Sequence, residues 1–498
     1  MAERSGQSKA KLSIAEEVQK EGSLLDTILS ETRIARNESE QARAKDLIGE
    51  FVQQVLDGAV VVKKDLESAI NARIAALDEL ITAQLNEVMH APEFQKMEAS
   101  WRGLHYLVHQ SETGTMLKIR VMNVSKEDLR RDLERASEFD QSAIFKKVYE
   151  EEYGTFGGAP FGALVGDYEF TRHPQDIALL DQMSHVAAAA HAPFISAASS
   201  QLLNLDSYTD LGLPRDMAKT FDTVEYAKWR SFRESEDSRY VGLAMPHILM
   251  RLPYGPETVP VQSFNFTEDV DGKDHSKYLW GNAAYALATR MTDAFAKHGW
   301  CAAIRGVEGG GLVEGLPTHT FSTDEGEVAL KCPTEIAITD RREKELSDLG
   351  FIPLVHCKGT DYAAFFGAQS CQKAKLYDKD AANANARLST QLQYIMAVSR
   401  FAHYLKAMMR DKIGSFMSRS DCQHFLNQWI NNYVSPDDNA GPEIKARKPL
   451  REAAIEVSEV AGKPGVYKAV AFLRPHFQLD ELTVSLRLVA ELPASARK

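Results

Sequence analysis

Apolar residues recur at spacings of three and four along the first hundred residues, a pattern that predicts a series of amphipathic helices. The first of these helices is short, and Ser23 with Asp26 forms a capping box at its start. A helix of this length is not stable alone in water. We therefore expect it either to pack onto the body of the protein or to be bound by a partner. Its apolar and capping positions are Leu24, Leu25, Asp26, Ile28 and Leu29.

Three further helices follow this segment. The same spacing predicts a helix from about Ala44 to Val55, ended by Gly58, and another over Leu66–Val88. The apolar positions of Leu66–Val88 are close to a heptad repeat, so this helix is expected either to pair in a coiled-coil-like way or to pack on its own core. A fourth helix is predicted over Pro92–Val108, with the proline in its first turn.

Helix and strand patterns then alternate through the middle of the chain. Such alternation favours an α/β body with a mixed sheet. The predicted helices are Ser125 onwards, Asp176–Ala190 and Tyr278–Lys297. The predicted strands are Leu117–Val121, Gly162–Val165, Phe194–Ala198, Tyr240–Leu252 and Cys301–Ile304.

The last third has helices first and strands at its end. The predicted elements are the helix Arg341–Leu349, the strand Phe351–Val355, the helices Ala381–Met409 and Asp421–Tyr433, and the strands Ala453–Val460, Tyr467–Leu473 and Leu482–Leu492. The final strand alternates strictly, so one side is apolar and needs cover. That side consists of Leu482, Val484, Leu486, Leu488, Ala490 and Leu492.

Length and composition exclude several classes of protein. A chain of 498 residues is expected to fold as about two or three domains. Its net charge of −12 disfavours nucleic acid as the main partner, because phosphate binding needs a basic surface. Its longest apolar runs fall well short of the roughly 20 residues that span a bilayer, and its polar start has no signal-peptide core. We therefore expect a cytoplasmic protein without membrane insertion.

Candidate chemical motifs are weak. The glycine-rich stretch 306–315 lacks the Gly-Lys-Ser/Thr ending of a phosphate loop, which favours a flexible loop. Asp167 and Glu169 would share one face of an extended segment, but no third group marks a substrate site. The His and Cys spacings do not match structural zinc sites. The sequence therefore predicts no catalytic, cofactor or metal site.

A basic cluster stands out in an otherwise acidic chain. It lies in a loop rich in Pro, Asp, Asn and Gly, and it is either solvated or a contact for an acidic protein surface. The cluster consists of Lys445, Arg447, Lys448 and Arg451.

Several separated motifs resemble the large subunit of the type VI secretion contractile sheath, the TssC/VipB family, in the same order along nearly the whole chain. They are Ser23–Asp26, Phe94–Leu104 (FQKMEASWRGL), the glycine-rich Phe156–Phe170, Arg251–Gly255 (RLPYG) and Arg474–Leu482 (RPHFQLDEL). The last third also resembles the tube-facing domain of phage tail sheaths.

This resemblance implies a multi-domain α/β fold of mixed α+β type. The expected parts are an N-terminal helical segment (1–60) for small-subunit pairing and ATPase recognition, a central α/β sheath domain (61–325), and a C-terminal tail-sheath-like domain (326–498) with strand exchange. The resemblance implies pairing with a small subunit (TssB/VipA), helical polymerisation around a tube of Hcp, contact with baseplate components and disassembly by the AAA+ ATPase ClpV.

The resemblance also gives roles to particular residues. The short helix with Leu24, Leu25, Asp26, Ile28 and Leu29 would be gripped by ClpV, and the final strand would complete a sheet in a neighbouring protomer. The basic cluster is expected near the tube or a neighbouring protomer. Two alternatives remain: a sheath subunit of a phage-tail-like injection particle, usually one polypeptide, and a cytosolic α/β enzyme.

Overall fold

The structure is a computed structural model that describes residues 66–213, 216–323, 326, 328–415, 417–437, 439–460 and 466–478, together with 42–43, 45–46 and 49–50. The chain divides into two compact units. One unit contains residues 1–88 and 254–268, and the other contains residues 89–253 and 269–498. No helix within these described ranges is long and apolar enough to cross a membrane.

The α-helices of five or more residues in the described part of the chain are α1 (Leu66–Met89), α2 (Pro92–His109), α3 (Lys126–Arg135), α4 (Pro174–Ala190), α5 (Met217–Phe221), α6 (Ala227–Glu234), α7 (Ala284–His298), α8 (Asp340–Asp348), α9 (Asp380–Leu388), α10 (Leu392–Asp411), α11 (Arg419–Ile430) and α12 (Pro442–Arg447). Caps predicted from sequence are present: Ser125 accepts from the backbone N–H of Asp128, and Pro92 lies in the first turn of α2.

The described strands are β1 (Leu164–Phe170), β2 (Phe194–Ala198), β3 (Val241–Met245), β4 (Ile248–Leu249), β5 (Trp280–Gly281), β6 (Leu312–Val313), β7 (Thr320–Ser322), β8 (Val328–Leu330), β9 (Ile352–His356), β10 (Ala363–Phe365), β11 (Leu450–Glu459) and β12 (Tyr467–Pro475). Strands β1, β2, β3, β9, β10 and β6, in that order, form one six-stranded sheet. The first four pair in parallel, and β10 pairs antiparallel with both β9 and β6.

The six-stranded sheet is covered on both faces. Strand β2 is buried along its whole length, as expected for a parallel strand between two layers of helices. Phe194 packs into a core with Leu180 of α4, whereas Ile195, on the other side of the strand, packs into a second core with Leu287 of α7. This mixed sheet with helices on both faces confirms the predicted fold class.

A separate core forms at the end of the chain. Helices α10 and α11 pack against the two-stranded β11–β12 sheet through Phe401, Leu426 and Ile455, and Trp300 stacks on Phe401 with ring centroids 4.3 Å apart. The Asn427 side chain fixes this packing, because its carbonyl accepts from Ile455 N at 2.9 Å and its amide donates to Ile455 O at 2.7 Å.

The first unit is built around α1 and the segment 254–268. The Asn86 amide donates to Thr267 O at 3.3 Å, and the Asp78 carboxylate accepts from Asn265 N at 3.3 Å. Four residues along one side of α1, however, are 40 % to 49 % exposed: Ile70, Ile74, Leu77 and Ile81.

Several predicted elements differ in the structure. Residues 117–121 and 301–304 form no strand. Strand β1 begins two residues after the predicted Gly162 and ends five residues after the predicted Val165, at Phe170. The helix predicted from Tyr278 begins at Ala284, after the short strand β5. The helix predicted over Ala381–Met409 is two helices, α9 and α10, separated by a turn at 389–391. The stretch predicted as strand Tyr240–Leu252 is divided into β3 and β4.

Candidate interaction groove

A groove of about 1720 Å³ crosses the second unit. Helices α2 and α7 form one side of it, while residues 115–126 and 159–169, which include most of β1, form the other. At the inner end lie Trp300 and three residues of α10: Met396, Arg400 and His403. This volume exceeds the roughly 300–1,000 Å³ of most small-molecule pockets, so the groove is wide enough for a segment of polypeptide.

The outer wall of the groove is a segment that pairs with no strand among the residues that the structure describes. Residues 118–125 belong to no helix or strand. Tyr168 holds this segment beside β1 by donating its hydroxyl to Val124 O at 2.8 Å, and Lys126 Nζ donates to Glu169 O at 2.6 Å. Met116 and Val121 are nevertheless 76 % and 68 % exposed. The wall therefore presents apolar side chains to solvent.

Strand β1 is an edge of the six-stranded sheet. Within the described ranges it pairs only with β2, so its other edge is open toward the groove. An open edge beside exposed apolar residues is a template for an added strand.

Helix α2 forms the opposite wall and contains the FQKMEASWRGL motif. Trp101 and Met97 project from it with 69 % and 52 % of their surface exposed. On its other side Gly103 lies against Tyr285 of α7, where an added Cβ would meet the ring at 2.3 Å. Glu98 of the same helix pairs with the buried Arg251 of the RLPYG motif, Nε to Oε1 2.8 Å. The two motifs thus fix the position of one wall.

An ionic network forms part of the groove floor. His247 Nε2 lies 2.8 Å from Glu169 Oε1, and its Nδ1 lies 2.5 Å from Glu335 Oε2. His275 Nε2 is 3.2 Å from the second oxygen of Glu335. Burial opposes the charge on His247, but the hydrogen bonds with both carboxylates outweigh it and raise the pKa to about 10. Burial likewise opposes charge on Glu335, yet its two histidine partners lower its pKa to about 2.

The inner end of the groove differs from the floor. His403 is 4 % exposed, and its Nε2 donates to Ala190 O at 2.9 Å. Burial is the main reason that the pKa of His403 falls to about 4, so the ring is neutral near pH 7. One turn earlier Arg400 lies with its guanidinium carbon 4.8 Å from the centroid of the Tyr404 ring.

The chemistry of the groove is that of a docking surface. Asp167 and Glu169 both line it, but the Glu169 carboxylate is bound to His247. In the part of the chain that the structure describes, no group of three or more His, Cys, Asp or Glu side chains is placed to hold a metal ion. Exposed apolar side chains, an open strand edge and a fixed ionic floor suit a macromolecular partner.

The other predicted sites lie apart from this groove. Both the short helix with Leu24, Leu25, Asp26, Ile28 and Leu29 and the final strand Leu482–Leu492 fall outside the described residues. Most of the basic cluster lies on or beside α12 rather than in a loop. Arg447 pairs there with Glu443 at 2.9 Å, one turn away, and both side chains are more than 60 % exposed.

Sequence reasoning singled out Asp167 and Glu169 but missed the charged partners of Glu169 in the groove floor. His247 and Glu335 are 88 positions apart, and no spacing rule connects them. The available signal was a charged residue within an apolar stretch, since His247 lies between β3 and β4. Such a residue needs a partner if it is buried.

Comparisons with known proteins identify the family. The model for VipB (EvpB/VC_A0108, tail sheath N-terminal domain) matches residues 71–372, and the model for the corresponding tail sheath gpW/gp25-like domain matches residues 381–492. The type VI secretion system sheath protein TssC1 of Pseudomonas aeruginosa is 52 % identical over 475 residues, which cover 95 % of this chain and 94 % of that protein.

Solved structures of contractile particles are more distant. The baseplate of the anti-feeding prophage aligns with a TM-score of 0.34 and 8 % identity over 63 % of this chain and 66 % of that chain. Its helical sheath in the contracted state aligns with a TM-score of 0.29 and 8 % identity, over 62 % and 66 %. In both cases just under two thirds of the other chain is covered. The family assignment rests on the sequence matches alone, and by them this chain belongs to the VipB family of type VI secretion sheath large subunits.

Proposed function

We propose that this chain pairs with the small sheath subunit (TssB/VipA) by taking a segment of that subunit into the groove. The observation that carries the proposal is the open edge of β1 across the groove from the segment 118–125, which belongs to no helix or strand. A strand laid between them would satisfy backbone groups on both sides and would cover Val121. Trp101, exposed on the opposite wall, is the kind of aromatic residue that anchors an interface.

The pair would then polymerise as a cytoplasmic helical sheath around a tube of Hcp and attach to baseplate components. Contraction requires no cofactor and no catalytic site in this scheme, because an extended lattice with less favourable interfaces stores the energy. ClpV would disassemble the contracted sheath through the helix with Leu24 and Leu25. The basic cluster around Arg447 and Lys448 would contact the tube or a neighbouring protomer, since both side chains are exposed.

The pairing is tested by Val121→Glu on the groove wall. A charge on an apolar contact should reduce co-purification with the co-expressed small subunit about tenfold or more, because it must be desolvated on binding. The matched control is Val224→Glu, since Val224 is 87 % exposed but does not line the groove. We expect the control to bind as the wild type does and to form hollow tubes by negative-stain microscopy.

Two results would contradict the proposal. Equal binding by both variants would show that the small subunit docks elsewhere. Tubes formed by this chain alone would indicate the single-polypeptide sheath of a phage-tail-like particle.

A further inference from the structure

The inner end of the groove contains a cation without a counter-charge. Arg400 has no carboxylate within 4.0 Å among the residues that the structure describes, and its buried Nε has no hydrogen-bond partner there. Two other cations on the groove wall are paired, Arg120 with Glu152 and Lys126 with Asp176. The Tyr404 ring beneath Arg400 stabilises the positive charge but does not neutralise it.

The titratable neighbours of Arg400 in the groove do not supply the missing charge. Burial raises the pKa of the Cys301 thiol to about 12, so this thiol remains protonated near pH 7. His403, whose pKa is about 4, is neutral. The remaining groups at this end, Trp300 and Met396, carry no charge. A partly buried guanidinium with an unpaired Nε is suited to accept an anionic partner.

His403 adds a second unsatisfied group beside the first. Its Nε2 donates to Ala190 O, so the neutral ring has a lone pair on Nδ1, and this buried nitrogen has no partner in the described structure. Arg400 and His403 are three residues apart on α10 and so lie on one face of the helix. This end of the groove therefore offers donors from Arg400 and an acceptor from His403.

We propose that the inner end of the groove is a socket for an acidic residue of the polypeptide that occupies the groove, with its carboxylate on Arg400 and a main-chain N–H on His403 Nδ1. An Asp or Glu in an extended segment supplies both groups, and the groove is too large to be filled by a free small acid. The socket would fix the register of the bound segment, because one charged pair at a defined depth allows only one alignment. This inference rests on the proposed pairing with the small sheath subunit.

The test is Arg400→Met, titrated with purified small subunit at several salt concentrations. Loss of a charge-assisted pair should weaken binding about 10- to 100-fold and flatten its salt dependence. Arg400→Lys should lose less affinity than Arg400→Met, because lysine keeps the positive charge but lacks the planar, two-pronged set of donors of the guanidinium. The control is Lys412→Met: Lys412 caps the same helix and lies outside the groove, so both the affinity and the salt slope should remain those of the wild type.

The stability of the unpaired chain separates a binding role from a structural one. Arg400→Met removes an uncompensated charge, so the melting temperature of the isolated chain should be unchanged or raised. A fall in melting temperature that accounts for the weaker binding would overturn the socket.

The partner residue is found by changing each Asp and Glu of the small subunit to Asn or Gln. At one position the substitution should weaken binding in the wild-type background but cause no further loss of affinity when it is combined with Arg400→Met. Additive losses at every position, or wild-type affinity and salt slope for Arg400→Met, would overturn the socket while the pairing stands.

If the wild-type chain does not bind the small subunit, the pairing and the socket both fail. Calorimetric binding of free acetate that is lost in Arg400→Met would instead show a small-molecule site and also overturn the socket.

Discussion

His247 lies between the carboxylates of Glu169 and Glu335 in the groove floor. The two carboxylates depend on the positive charge of His247 to different degrees. The Glu335 side chain is only 9 % exposed, so its negative charge requires His247 and His275 beside it. Glu169, at 48 % exposure, is partly stabilised by solvent and needs His247 less. Removing His247 would leave the buried carboxylate with His275 as its remaining histidine partner.

We therefore predict that His247→Gln lowers the free energy of unfolding at pH 6 by about 2–3 kcal/mol. This is less than for a fully buried pair, because Glu169 is half exposed. The folded pKa of His247 is raised from 6.5 to about 10, so its contribution is complete below pH 6.5 and is lost as the pH rises toward 10. The pKa of Glu335 is lowered from 4.5 to about 2, so its contribution is complete above pH 4.5 and is lost as the pH falls toward 2.

Urea unfolding at several pH values measures both effects. The difference in the free energy of unfolding between the wild type and His247→Gln should shrink between pH 6.5 and pH 10. The control is His185→Gln, which breaks a more exposed pair with Asp237 at 2.8 Å and should cost less than about 1 kcal/mol. A constant difference at all pH values would show that His247 is not charged in the folded protein.

At the scale of elements, α1 has a stripe of exposed apolar side chains. The residues at 70, 74, 77 and 81 alternate in steps of four and three, the spacing of a helix that pairs with another helix. The sequence left open whether this helix packs on its own core or pairs with a partner. Exposure of 40 % or more along the stripe favours a partner.

We predict that Ile74→Glu leaves the stability of the isolated chain nearly unchanged and weakens its assembly with the small subunit. Ile74 is already 49 % exposed, so the substitution removes little burial. The control is Ala75→Glu, which places the same charge on another face of α1 at an exposed position. Size-exclusion chromatography with light scattering measures the complex. Equal assembly by both variants would place the stripe outside the interface.

Elements with strong local patterns were predictable from sequence. Strand β2 was placed at Phe194–Ala198, and α4 and α8 within two residues, because apolar period and caps are local signals. The segment from Leu117 to Val121 has the alternation of a strand, but it pairs with no strand in the part of the chain that the structure describes. Alternation is a local signal, whereas pairing depends on a neighbouring strand that the local pattern does not specify.

The predicted long helix of the last third shows a second limit. Residues 389–391 interrupt it, since Ser370 N and its hydroxyl both donate to Thr390 O, at 2.9 Å and 2.6 Å. This contact joins residues 20 positions apart and outweighs the local helix propensity of residues 389–391. The groove was not predictable for the same reason, because its lining comes from segments as far apart along the chain as Pro92 and His403.

At the scale of the whole molecule, the described part of the β11–β12 sheet is small. It has two strands within the described ranges, and an isolated pair of strands is marginally stable in water. One face rests on α11, while Val470 and Phe472 of β12 are 41 % and 57 % exposed. Additional strands would protect both the open edges and these side chains. The alternating sequence Leu482–Leu492 has the composition for such a strand.

We predict that deleting Thr483–Lys498 leaves a soluble complex with the small subunit that forms no tubes. The groove lies elsewhere in the chain, so pairing should persist, whereas a sheet completed by the last strand of a neighbouring protomer would lose its main-chain link. Two point variants distinguish the role of the main-chain hydrogen bonds from that of the side chain. Leu486→Pro removes a backbone N–H and should abolish tubes, whereas Leu486→Val changes only the side chain and should preserve them. Negative-stain microscopy of the co-expressed complexes gives the result. Normal tubes from the truncated chain would show that subunits are linked without this strand, and the lattice contacts would then have to lie on surfaces such as the exposed face of β12.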